Sequence, residues 1–138
     1  MKASHKGKSI DLSVKKHVFV KKFQIGVVYY KVVFSNNEIF YQEFEVRDGD
    51  FYFVLQFVGP EECASNFQYE FILSANKGNE RIGTRLMTSS NRVDIRTIQK
   101  SGKCVKLHYN VLQNFMEEGE NLSFEFGICK LKESSAVL

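Results

Sequence analysis

Apolar and polar residues alternate along most of this chain, the period of strands with one buried face. The stretch FYFVLQFV, residues 51–58, breaks that rule: seven of its eight positions are apolar. A run of this kind predicts an inner strand covered on both faces. Gly59 and Pro60 stop it, because proline cannot donate to a ladder and glycine permits the turn. Alternation resumes in NFQYEFIL, residues 66–73, with Phe67, Tyr69, Phe71 and Leu73 on one face and Gln68 and Glu70 opposite.

The rest of the chain falls into order around these two strands. Residues 1–11 read as a flexible lead-in, and Val14, Val18, Phe19 and Val20 mark a first short strand that Gly26 breaks. Residues 27–34, VVYYKVVF, are β-branched and aromatic and predict a strand. A turn at 35–38 leads to residues 39–46, with Phe40, Phe44 and Val46 on one side and Ile39, Tyr41, Glu43 and Glu45 on the other. Arg47-Asp48-Gly49-Asp50 predicts a hairpin, since Asp-Gly supplies the positive φ of a primed turn. A second hairpin turn is expected at 74–79, followed by a strand over 81–89. Val93, Ile95 and Ile98 form a weaker segment, an edge strand or a crossover loop. After a turn at Ser101-Gly102, residues 103–109 alternate with Val105, Leu107 and Tyr109 inward. The period then changes: Val111, Leu112, Phe115 and Met116 predict a short helix with Asn110 as N-cap and Gly119 as its stop. Residues 122–128 alternate once more, and 131–138 read as a tail. About eight strands, short turns and one short helix before the last strand predict an all-β antiparallel sandwich or barrel over residues 12–130.

Composition supports one ordered domain. The chain has 138 residues, thirteen Phe, six Tyr and a single proline. It lacks the run of about eighteen apolar residues that a membrane helix needs, and its N-terminus shows no secretory signal. Cys63, Cys104 and Cys129 are widely spaced, an odd count without a paired motif. That pattern argues against a disulfide framework and a zinc site, and for a reducing compartment, cytoplasmic or nuclear. Residues 1–22 carry seven lysines against Asp11 alone, while the remainder is net acidic. This arm holds no arginine and no interleaved aromatics for bases to stack on, so nucleic acid is not the expected partner, nor is a membrane. His5, His17 and His108 lie far apart with no signalled nucleophile or orienting carboxylate. Glu117, Glu118 and Glu120 lack the spacing of a calcium loop. No catalytic centre is indicated, and a strand-rich domain of this kind suits binding of an extended peptide at an open sheet edge.

The residues also carry a resemblance. GPEECASNFQYEFIL, with Ala64, Asn66, Phe67 and Tyr69 at its centre, resembles the C-terminal substrate-binding domain of the seven-in-absentia ubiquitin ligases. KCVKLHYNVLQNFMEEGENLSFEFGI resembles that family's closing segment, and His5-Lys6-Gly7-Lys8-Ser9-Ile10 its junction after a second zinc finger. A small lipid-binding barrel has a similar length, but it needs a helix pair after its first strand, where residues 21–34 are strand-like.

The resemblance implies a TRAF-like antiparallel β-sandwich that forms homodimers and presents protein substrates or adaptors to an upstream RING domain. It implies no catalysis by this chain and no cofactor in it, zinc belonging to the upstream region. An alternative within the same fold is a diverged adaptor with no ligase role. Partner peptides would add as a strand beside the first strands, at positions corresponding here to Leu12, Lys16, Val18, Tyr30, Val32 and Glu125. The family has tryptophan where Tyr30 stands and asparagine where Glu125 stands. A tyrosine still offers an aromatic floor, and a glutamate selects different peptides.

Overall fold

A computed structural model describes residues 15–131. Nine strands are present there: β1 (Lys16–Val20), β2 (Tyr29–Ser35), β3 (Glu38–Arg47), β4 (Asp50–Phe57), β5 (Phe67–Ala75), β6 (Glu80–Met87), β7 (Ser89–Ser90), β8 (Val105–His108) and β9 (Leu122–Lys130). Three short helices interrupt them: α1 (Glu61–Ala64), α2 (Ile95–Ser101) and α3 (Tyr109–Gln113). The expected lead-in, Val14 and the tail from 132 lie outside the described residues.

The strands form two sheets. The first has the order β1-β9-β5-β6, antiparallel throughout. The second has the order β2-β3-β4-β7, with β8 also pairing β4. One pair departs from the antiparallel expectation: β7 runs parallel to β4, at Gln56–Ser89 and Phe57–Ser90. The β3–β4 hairpin turns through Asp48 (φ 54°) and Gly49 (φ 84°), the left-handed pair that the Asp-Gly signal predicts.

Phenylalanine rings lock the two sheets together. Phe124 on β9 meets Phe44 of β3 at 5.1 Å, Phe53 of β4 at 5.4 Å and Phe71 of β5 at 4.9 Å between ring centroids. Phe40 meets Phe67 edge-on at 5.2 Å, and Phe53 meets Phe126 at 5.6 Å. These contacts set β9 against β3 and β4 and β5 against β3, and Phe53 meets Phe71 at 5.1 Å to set β5 against β4 as well. It follows that β1 and β2 border the same side of the sandwich.

The apolar run behaves as its sequence predicts from Phe51 through Phe57, all buried, whereas its last residue, Val58, follows the strand and is exposed. Phe51, Phe53, Leu55 and Phe57 join the core between the sheets, while Tyr52 and Val54 face outward into a second cluster with Ile98 and Cys104. What covers this outer face is α2, in the segment read as an edge strand or loop. Asp94 caps it, its carboxylate accepting from the amides of Arg96 (3.0 Å) and Thr97 (3.3 Å), and Gly102 ends it at φ 80°. The β-branched Ile95, Thr97 and Ile98 favour a strand locally, and docking on β4 overrides that preference. Glu45, buried at the end of β3, accepts from Gln99 Nε2 at 3.0 Å, and Gln99 Oε1 accepts from Arg47 Nη2. Gln56 Nε2 donates to the Val93 carbonyl at 2.8 Å and pins the approach to the helix.

Two further details differ from expectation. The link after β4 is not only a turn, since α1 follows Pro60 directly. The last helix is capped by His108, whose Nδ1 accepts from the Asn110 amide at 3.1 Å, so Asn110 lies inside it. It ends at Gln113, and Gly119 instead belongs to the turn closed by the Glu117–Asn121 bridge.

The stacked rings give a direct test of what holds the sheets. Phe124→Ala is expected to cost about 3–5 kcal/mol in denaturant unfolding, because it removes a fully buried ring at the sheet interface. Phe19→Ala, at an exposed ring of β1, is expected to stay within about 0.5 kcal/mol.

Candidate functional site

Among the described residues, both sheets end in an edge without an outer strand partner on the same side of the sandwich. Among the described residues β1 pairs only with β9, and β2 only with β3. Their outer backbone groups lack a strand partner, which makes each edge a template for another chain. The connector between them closes one end of this mouth. Phe23 is buried there, stacked on Tyr29 at 5.2 Å and facing Phe44 at 6.3 Å. Its amide donates to the Glu120 carbonyl at 2.9 Å, and that of Gly26 to Val46 at 3.0 Å. The chain runs away from this plug in β2 and toward it in β1, so the open end lies by Lys16 and the end of β2.

Alternation decides which side chains line the mouth. On β1, Lys16, Val18 and Val20 are half-buried and turn inward, while His17 and Phe19 are exposed. On β2, the inward set is Tyr29, Lys31 and Val33, with Tyr29 and Val33 packed into the core. Tyr30 and Val32 point the other way, at 70% and 50% exposure. Thus Lys16 and Val18 share the mouth, whereas Tyr30 and Val32 stand on the outer face of the opposite sheet, around its rim. Glu125 is exposed on β9, opposite His17, on the outer face of the first sheet. Leu12 lies outside the described residues. Tyr29, Lys31 and Val33 were missed as mouth residues because a one-residue shift exchanges the two faces of a strand.

The outer face of β2 and β3 carries an apolar stripe. Tyr30, Val32 and Phe34 sit opposite Glu43, Tyr41 and Ile39 respectively, and Val58 joins through its amide bond to the Ile39 carbonyl at 3.0 Å. Phe34, Ile39 and Val58 are exposed, which concentrates apolar surface at the end of β2 remote from Phe23. Tyr30 stacks on Tyr41 at 6.3 Å, and the Tyr41 hydroxyl donates to Glu43 Oε1 at 2.8 Å. Partial burial, that hydrogen bond and the charge of Glu43 push the Tyr41 phenol up to about 12.

Chemistry elsewhere on the surface is sparse. Ser123 Oγ lies 2.9 Å from His17 Nε2, but no described carboxylate forms an ion pair with the ring to orient it as a base. Among the described residues no group of three or more His, Cys, Asp or Glu is placed to hold a metal ion. No helix there is long and apolar enough to cross a membrane. A recess of about 600 Å³ opens between α1, β6–β7 and α2, lined in part by Leu86, Met87, Val93 and Ile98. It depends on two helices that the sequence pattern hides.

Residues 31–126 match the family model described as Sina, TRAF-like domain. No curated protein matches the chain. The matched span contains Val32 and Glu125 and begins just after Tyr30, so β1 lies outside it.

The Tyr41 environment has a measurable consequence at high pH. An unfolded tyrosine ionises near pH ~10. The folded phenol is held protonated to about 12, so its contribution to stability is complete below pH ~10 and is lost as pH rises through about 12. The difference between wild type and Tyr41→Phe in an ultraviolet titration is expected to show this late ionisation, and ionisation near pH ~10 would contradict it.

Proposed function

We propose that this chain, which belongs to the Sina, TRAF-like domain family, is a protein-interaction module that captures an extended segment of a partner along its β1–β2 side. The observation that carries this reading is that β1 and β2, joined by the Phe23 connector, each lack an outer strand partner among the described residues. A partner strand adds to β1 through backbone hydrogen bonds and sends alternate side chains in beside Lys16 and Val18. The longer of these inward side chains reach on to the rim at Tyr30 and Val32, while the others turn to the outer face of the first sheet beside His17 and Glu125. Glu125, with His17, sets the charge of the flank and favours peptides bearing a cation there. Joined to a RING domain, the module acts as the substrate-recognition part of a ubiquitin ligase.

Homodimerisation is part of the same proposal. The apolar end of the stripe, at Phe34, Ile39 and Val58, is surface that a second copy would remove from water. It lies beyond Tyr30 and Val32 along β2 and β3, so the two interactions are separable.

The experiment begins with peptides selected from a random displayed library against the purified chain. Their binding is expected to slow hydrogen exchange at residues 16–20, and Tyr30→Ser with Val32→Ser to weaken it by about tenfold or more with the fold intact. Phe34→Ser with Ile39→Ser is expected to halve the light-scattering mass and leave peptide binding in place. Protection confined to β6, the opposite edge of the first sheet, would refute the assignment.

A further inference from the structure

A second surface lies apart from the β1 edge, where α2 crosses the outer face of the second sheet. A cleft of about 320 Å³ opens there between α2, the end of β3, β4 and β8, lined by Arg47, Tyr52, Arg96, Gln99, Lys100 and Lys106. Four of the six lining residues are cationic and none is acidic. The fold supports part of this arrangement rigidly. Arg47 donates to Gln99 and, at 3.2 Å, to Asp48 Oδ2, and its guanidinium lies 5.3 Å from the centre of the Tyr52 ring. Lys106, opposite Tyr52 on β8, places its ammonium 5.9 Å from the same ring. Tyr52 is therefore the floor on which two cations from two strands converge.

The charge there is only partly met. Glu45 is buried and taken up by Gln99 and Arg47, its oxygen 3.6 Å from Arg47 Nε. Asp48 is 83% exposed, so water screens its pairing, and Lys106 reaches Asp50 only at 3.9 Å. Arg96 and Lys100 form no ion pair among the described residues. They stand four apart on α2, where like charges repel and weaken a helix that is only seven residues long. A dianion in the cleft would offset that repulsion and accept from both side chains, with Arg47 behind it. A single carboxylate carries half the charge and fewer acceptor oxygens.

We infer that this cleft is an anion-binding site for a phosphorylated side chain of a protein partner. The anion chemistry rests on the cleft alone, and its protein source rests on the interaction role proposed above. The cleft's size is at the lower end for small-ligand sites, about 300–1,000 Å³, which suits one phosphorylated side chain. A nucleic-acid strand would need a longer cationic track with stacking faces, and Tyr52 is only 8% exposed.

The test uses degenerate peptides around a fixed phosphoserine, with the same libraries carrying serine or glutamate, against the whole chain. The phosphoserine library is expected to bind about tenfold or more tightly than either counterpart and to shift the backbone amide resonances of Arg96, Lys100 and Lys106. Arg96→Glu with Lys100→Glu should abolish that preference. Lys77→Glu with Arg81→Glu, the same change of charge at a distance, should keep it within about twofold. Equal binding of the three libraries, or equal loss in both double variants, would overturn the site. Shifts with inorganic phosphate but none with phosphopeptides would overturn the protein source, as would stronger binding by a single-stranded oligonucleotide. Each of these failures would leave protection of β1 by the selected peptides unchanged, which separates the cleft from the mouth.

Discussion

The structure depends on β4 being covered twice. Its odd residues enter the phenylalanine core between the sheets, and Tyr52 and Val54 on the other face lie under α2. A strand with no wet face cannot slip in register without burying polar atoms or exposing rings, so β4 fixes its neighbours in place. On one side it holds β3, and on the other it holds β7 and β8 at opposite ends of the same edge. The sheets then have to close around it, and the rings of Phe124, Phe53 and Phe71 determine how.

This arrangement distributes the free surface unevenly. Near β4 the outer face is covered by α2 and held by Asp94, Gln56 and the Glu45–Gln99–Arg47 hydrogen bonds. At β1 and β2 nothing comparable among the described residues covers the edges, apart from the Phe23 plug at one end. Lys16 and Lys31 beside the mouth supply charge that discourages uncontrolled strand pairing while leaving the backbone available. On the proposed reading, a partner's extended segment of suitable charge would gain hydrogen bonds that no described part of the chain supplies.

Much of this was legible in the sequence, for local reasons. The doubly apolar run at 51–58, the Asp48-Gly49 hairpin and the alternating strands need only period and turn chemistry to be read, and the family motifs around Ala64–Tyr69 pointed to the same sandwich. The helices were less visible. Ile95, Thr97 and Ile98 favour a strand until Asp94 and Gly102 are taken as a cap and a stop, and the helix is secured by contacts to β4 that are distant in sequence. His108 rather than Asn110 caps α3, a choice set by a ring nitrogen that composition does not reveal. The candidate site was less legible. The strands β1 and β2 could be read from the pattern, but the placement of Tyr30 and Val32 on the outer face turns on a single residue of register that an apolar stretch like VVYYKVVF does not specify.

The most direct measurement is site-specific photo-crosslinking, with a benzoylphenylalanine placed at Lys31 in the mouth or at Arg81 on the opposite sheet edge, mixed with peptides selected against the whole chain. The expected result is a peptide adduct from position 31, competed away by unlabelled peptide, and none from position 81. Adducts from position 81 alone, or none from 31 while binding persists, would contradict the assignment of the β1–β2 side as the binding surface.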